Sequence, residues 1–191
     1  KMKTKKIQRM IQNALLLALL ILFTLIKFPL GAISFTMQLF IVFLIVQLTP
    51  FLDALSILFT YLLMGLIGIP VFSMGGGLSY IYQPSFGFMI GFIVLCPFVK
   101  LMDSILLKTK MNAYFRVFIG NFVGLLVDYL CGYIYAYCIF NFYLNQDFPF
   151  LKVFQLVIAP FILFDLLKVI LAALVSQKIK KHLILTQTPS S

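Results

Sequence analysis

Residues 1–26 read KMKTKKIQRMIQNALLLALLILFTLI, a basic stretch that runs into uncharged, Leu-rich sequence from residue 11 to residue 26. About 20 such residues, at ~1.5 Å each, cross a hydrocarbon core ~30 Å thick. A basic start before an apolar run also describes a secretory signal, but the chain continues KFPLGAISF with no small-residue cleavage site. The run is therefore expected to be a membrane helix over about residues 11–27. The rest of the chain is just as apolar. Of 191 residues, 63% are hydrophobic and 10% charged, and mean hydropathy is +1.11. A soluble domain carries about 25% charged residues. Glu is absent and Asp occurs five times. This composition excludes a soluble enzyme, a disordered chain, a collagenous protein and a disulfide-rich secreted scaffold, and leaves an integral membrane protein with a single domain, 1–191.

Five further apolar runs follow, at about 37–49, 51–69, 86–107, 113–140 and 153–177. Thr49-Pro50 separates the second run from the third, because Pro disfavours a helical residue before it. The segment 70–86, PVFSMGGGLSYIYQPSF, holds three consecutive glycines and two prolines and reads as an ordered, non-helical connection. Residues 141–150, NFYLNQDFPF, read as a second loop, and the tail after Lys181 as a short frayed end. Cys96, Cys131 and Cys138 all fall in apolar runs and are expected to be buried apolar residues, with no disulfide framework.

The net charge of +10 is a topology signal rather than a nucleic-acid footprint, since the cations border the apolar runs. With the N-terminus in the cytoplasm, inner segments hold Lys1, Lys3, Lys5, Lys6, Arg9, Lys108, Lys110, Arg116, Lys178, Lys180 and Lys181, eleven in all, against Lys27 and Lys152 outside. The asymmetry predicts six transmembrane helices, both termini cytoplasmic and the Gly-rich loop external.

Lys100, Asp128, Asp165 and Lys168 lie inside apolar runs. Each costs ~2.5–3.5 kcal/mol near the bilayer centre on insertion scales, so each requires a partner or a water-filled cavity. Asp165 and Lys168 are three apart and share a helix face, just after Pro160, which distorts the start of that stretch. They read either as an anion–cation pair lining a ligand cavity or as an ion pair that only lets the helix insert. Lys100 is placed to snorkel to the cytoplasmic side, and Asp128 to meet Asn121 or a Tyr hydroxyl. In the loop, Gly75, Gly76 and Gly77 permit close backbone approach, and Ser73, Ser79 and Ser85 add hydroxyls. Tyr80, Tyr82, Phe86 and Phe88 add flat walls. The segment is expected to fold over a cavity.

These residues carry a resemblance. GLIGIPVFSMGGGLSY at 65–80 and QPSFGFMIGF at 83–92 closely resemble the signature of the BioY family, the biotin-specific S-components of energy-coupling factor (ECF) transporters. SFTMQ at 34–38, YLCGY at 129–133, and Pro160-Phe161 followed by Asp165 and Lys168 match further family segments in order. The chain departs from the family pattern at Gln83, where Gly commonly precedes the Pro, and in a glycine run of only three.

The resemblance implies an all-α S-component fold, an external biotin pocket and no chemistry on the ligand. It implies docking on a transmembrane coupling subunit with two cytoplasmic ATPases, and delivery by tilting of the whole S-component in a bacterial cytoplasmic membrane. Biotin is the transported ligand, and no cofactor or metal is expected. The implied substrate-binding residues are Asp165, Lys168, Gln38, Phe35, Ser73, Gly75, Gly76, Gly77, Tyr82, Ser85 and Tyr133. The implied docking residues are Ala14 and Ala18, an Ala-x-x-x-Ala pair on the first helix whose small side chains let helices approach.

Other classes fit less well. An intramembrane metalloprotease needs clustered His, Glu or Asp, and this sequence has one His, His182, near its end. A Ser–His dyad fails for the same reason. A secondary transporter outside the ECF class would be marked by inverted repeats, and none is visible. An S-component for another vitamin, such as thiamine or riboflavin, differs by the loop motif.

Overall fold

The computed structural model describes residues 2–30 and 33–187; Lys1 and the last four residues of the tail lie outside it. The chain forms α1 (Met2–Leu25), β1 (Lys27–Leu30), β2 (Ile33–Thr36), α2 (Gln38–Leu48) and α3 (Phe51–Leu66). A 3-10 turn (Leu78–Tyr82) leads into α4 (Phe86–Leu106) and α5 (Ala113–Cys138), then a π turn (Ile139–Tyr143), α6 (Phe150–Val157) and α7 (Ile162–Gln187).

The centre of the bundle is α2. Its sequence QLFIVFLIVQL is apolar all round, the pattern of a helix with no face toward solvent, and Gln38, Leu39 and Ile41 to Gln47 are buried. At 11 residues it is only ~16 Å long. Around it α1, α3, α4 and α7 supply a common core that includes Leu20, Leu58, Leu95 and Val169. Helices α4 and α5 lie closest together, and glycines allow it. A Cβ on Gly87 would stand 2.3 Å from Tyr135 Cβ, and one on Gly91 2.2 Å from Asp128 Oδ1. The outward surface is apolar, with Leu15, Leu22, Phe59, Leu126, Leu130 and Leu163 exposed.

Among the described residues, helices α1, α4 and α5 with its π turn are long and apolar enough to cross a membrane, and the bent pair α6–α7 meets the same criterion when its two helices are taken together. The second and third runs form shorter apolar helices than a single span requires.

Several expectations need correction. The run at 153–177 is not one helix: α6 and α7 meet at a 50° bend across Ile158–Phe161. Pro160 lies in that break, where its ring and missing N–H oppose continuation. β1 and β2 pair antiparallel, Lys27 with Thr36 and Phe28 with Phe35, so the described residues are helical with a small two-stranded sheet. The loop 70–86 contains a 3-10 turn, and the loop at 141–150 begins in the π turn and ends in α6. Of the cysteines only Cys96 is buried; Cys131 is half-buried and Cys138 exposed. Asp128 does not pair with Asn121, whose Oδ1 instead accepts from Gln47 Nε2 at 3.0 Å. Lys100 turns to Thr49 O, 2.7 Å away, where the Thr49-Pro50 break frees a carbonyl.

Candidate ligand-binding site

The bend between α6 and α7 sets Asp165 in the first turn of α7. There the unpaired N–H groups favour a carboxylate. Lys168, one turn on, donates from Nζ to Asp165 Oδ1 at 2.7 Å, with both side chains buried. Tyr129, on α5, donates its hydroxyl to Asp165 Oδ2, also at 2.7 Å. The charged pair thus sits inside the bundle with both carboxylate oxygens held by protein donors. Lys168 Nζ also lies 4.2 Å from the ring centroid of Phe35, which β2 delivers to the same place. Phe35 in turn packs on Phe164, ring centroids 5.0 Å apart.

These groups line a small cavity of about 70 Å³. Phe88, Met89 and Phe92 of α4, with Val157 and Phe161 of the bend, give it apolar walls. Its polar groups are Thr36, Gln38, Ser73, Ser85, Asp128, Tyr129, Asp165 and Lys168. Gln38 opens α2, and its Nε2 donates to Tyr61 Oη at 3.0 Å and approaches Met89 Sδ at 3.3 Å. The Tyr61 hydroxyl lies 3.0 Å from Val71 O, tying α2 and α3 to the loop.

The glycine run shapes the loop rather than lining the cavity. Gly75 and Gly77 have φ of +112° and +108°, a region that L side chains rarely adopt. Phe72 and Gly75 exchange backbone hydrogen bonds, and Gly77 N donates to Gly65 O at 2.7 Å. A Cβ on Gly76 would stand 2.3 Å from Ile69 O. This fold-back buries Phe72 against Tyr61 and Tyr80, ring centroids 5.4 and 4.5 Å away. Tyr80 then holds the two cavity hydroxyls, at 3.0 Å to Ser73 Oγ and 3.4 Å to Ser85 Oγ. Lys27 Nζ donates to Ser73 O and joins β1 to the loop.

Six of the expected substrate residues therefore come together around one cavity: Phe35, Gln38, Ser73, Ser85, Asp165 and Lys168. Gly75, Gly76, Gly77, Tyr82 and Tyr133 do not line it. Tyr82 is exposed and stacks on Tyr143, ring centroids 4.7 Å apart. Tyr133 donates to Phe150 O at 3.0 Å and borders a separate apolar groove between α5 and α6. Ala14 and Ala18 lie on the exposed face of α1, away from the cavity. Sequence reasoning missed Tyr129 and Asp128 as cavity residues. Tyr129 stood in the YLCGY segment, but nothing local points across to a carboxylate 36 positions later.

Comparison with known proteins agrees with this architecture. The BioY family model matches residues 1–184. The chain belongs to the BioY family. Among relatives of this BioY member, a probable biotin transporter BioY of Lysinibacillus sphaericus is 30% identical, covering 94% of this chain and 90% of its own. The biotin transporter BioY of Thermotoga maritima is 30% identical, over 91% and 96% of the two chains. A probable biotin transporter BioY of Pyrococcus horikoshii is 31% identical over 94% and 98%. The fold of this BioY chain is that of a solved S-component for biotin from an ECF-type ABC transporter, with a TM-score of 0.79, 21% identity and 93% of each chain covered.

Proposed function

We propose that this chain is the biotin-binding S-component of an ECF-type importer. It captures biotin on the outer side of a bacterial cytoplasmic membrane and delivers it by tilting against an energy module. The observation that carries the reading is the buried Asp165–Lys168 pair at the wall of an aromatic-lined cavity, in a chain of the BioY family. Biotin offers a ureido ring with two N–H donors and a carbonyl, an apolar thioether ring and a valerate carboxylate. The pair suits the polar ends, Phe35, Phe88 and Phe92 the ring, and Gln38, Ser73 and Ser85 the remaining polar atoms. Gly75, Gly76 and Gly77 act by holding the loop that presents Ser73. Tyr82 and Tyr133 belong to the ligand's surroundings rather than its direct contacts. The work is binding and transport, with no reaction on the ligand and no cofactor.

Six helices cross the membrane in this reading, with both termini cytoplasmic and the Gly-rich loop external. The excess of Lys and Arg at one end supports that orientation. Arg9 at that end pairs with Asp53 at the start of α3. The shorter α2 and α3 complete the count, α2 as a central, protein-covered passage and α3 with an apolar outward face. Ala14 and Ala18 on the open face of α1 supply the contact for a coupling subunit, which carries two ATPases.

Mass spectrometry of the small molecule that co-purifies with detergent-solubilised protein tests this function. Biotin is the expected species. Thiamine, riboflavin or another vitamin would reassign the specificity.

A further inference from the structure

Gln38 opens α2 at the cavity wall, and groups on two other helices hold its amide in one orientation. A glutamine amide has two hydrogens on its nitrogen and a carbonyl oxygen that only accepts. Nε2 lies 3.3 Å from Met89 Sδ on α4, and a thioether sulfur has no hydrogen to give. Nε2 also lies 3.0 Å from Tyr61 Oη on α3. The tyrosine hydroxyl has one hydrogen, and two acceptors compete for it: Val71 O at 3.0 Å and Thr24 Oγ1 at 3.3 Å. Thr24 returns none, because its own hydrogen goes to Leu20 O at 2.7 Å. Tyr61 therefore meets Gln38 as an acceptor, and so does Met89. Turning the amide over would press its oxygen on the Met89 sulfur and draw the Tyr61 hydrogen away from both of its acceptors.

The carbonyl oxygen is what remains. Gln38 Oε1 has no donor among the described residues, and it is not one of the side-chain atoms that packing seals off without a partner. Gln38 is otherwise buried and lines the cavity, so the cavity is where this oxygen finds its donor. We propose that Tyr61, supported by Met89, is a positioning residue that locks the Gln38 carbonyl toward the ligand, so that this wall selects one ureido N–H of biotin. The proposal rests on the biotin reading above, in which the two ureido nitrogens are the ligand's only donors once the valerate is ionised. Tyr61 does not line the cavity and acts through Gln38. Specificity follows. A ring with oxygen in place of that N–H sets two acceptors face to face, and a locked amide cannot turn its nitrogen to relieve them.

Calorimetric titration of the full chain in detergent tests this, with biotin and with its two cyclic-carbamate analogues, each having oxygen in place of one ureido N–H. Gln38→Leu removes the acceptor. Tyr61→Phe keeps the ring that packs on Phe72 and removes the hydroxyl. The double variant closes the cycle, and Met89→Leu is carried through the same cycle, so that the result does not hang on one variant. Apo melting temperature and monodispersity are recorded first. Gln38→Leu is expected to weaken biotin and one carbamate roughly five- to a hundred-fold, the range for losing one partner of a buried hydrogen bond. The other carbamate, which already lacks the facing N–H, is expected to bind no more weakly. Tyr61→Phe is expected to show the same selectivity at roughly two- to ten-fold, with no further loss when residue 38 is already Leu. A merely structural defect weakens all three ligands alike, on either background. Equal losses for all three ligands, additive losses in the double variant, or wild-type affinity in Tyr61→Phe and Met89→Leu would overturn the proposal and leave biotin as the ligand. Absence of biotin binding by the wild type is a separate result, which overturns the biotin reading and the proposal with it.

Discussion

The Tyr129 hydroxyl donates to Asp165 Oδ2 at 2.7 Å, joining the middle of α5 to the first turn of α7. This bond fixes the carboxylate from one side while Lys168 holds it from the other. The cation is thereby aimed at Phe35 and the cavity rather than at lipid. Tyr129→Phe removes only the hydroxyl. A hydrogen bond to a charged group contributes ~1.5–3 kcal/mol, so biotin affinity is expected to fall roughly ten- to a hundred-fold, with a lower apo melting temperature. Calorimetry and a melting curve on one preparation check both.

Breaking the pair itself has a larger effect. Truncating one partner of a buried, hydrogen-bonded charge pair costs ~2–5 kcal/mol, or roughly thirty- to several-thousand-fold in affinity. Lys168→Met keeps length without charge, and Asp165→Asn keeps shape. Biotin titration of the monodisperse fraction is expected to show that loss in both. If the pair only supports insertion, the yield of folded protein drops while the folded fraction binds normally.

The glycine run offers a test remote from the ligand. Gly76→Ala places a methyl 2.3 Å from Ile69 O, a backbone atom that cannot rotate away. The fold-back that seats Phe72 and Tyr80 must open. Overpacking of this kind costs ~1–3 kcal/mol, so the melting temperature is expected to fall, and biotin binding with it as Ser73 and Ser85 lose their common partner. A variant with unchanged melting and unchanged affinity would separate the loop from the pocket.

Docking is expected to be separable from binding. Ala14 and Ala18 face outward on α1, whereas the cavity is enclosed by other elements. Ala14→Leu with Ala18→Leu holds a neighbouring helix away. Pull-down of the coupling subunit is expected to fall while biotin binding on the same sample stays intact. Undiminished pull-down would place the docking surface elsewhere.

Much of this site was legible in the sequence, because lipid makes polar residues conspicuous. Asp165 and Lys168 stood out as expensive charges at helical spacing, and Pro160 marked the break that starts α7. The sequence did not disclose the partners. Tyr129 meets Asp165 across two helices, and one-dimensional spacing contains no such distance. Asp128 was visible as a buried charge, but its place on the cavity wall is a property of packing. The β1–β2 pair escaped notice because its strands have four residues each, too short for a period-2 signal. The glycine run predicts a loop over a cavity, whereas the N–H groups of Gly75 and Gly77 serve Phe72 and Gly65. That follows from φ values that the sequence permits without specifying.

The central claim is that this cavity is made for biotin. Thermal unfolding of the detergent-solubilised full chain, with biotin, thiamine and riboflavin in parallel, tests it most directly. A ligand at ~1,000 times its dissociation constant adds ~4 kcal/mol to a reversible unfolding equilibrium. Biotin alone is expected to raise the melting temperature. An equal rise with thiamine or riboflavin, or no rise with biotin, would contradict the assignment.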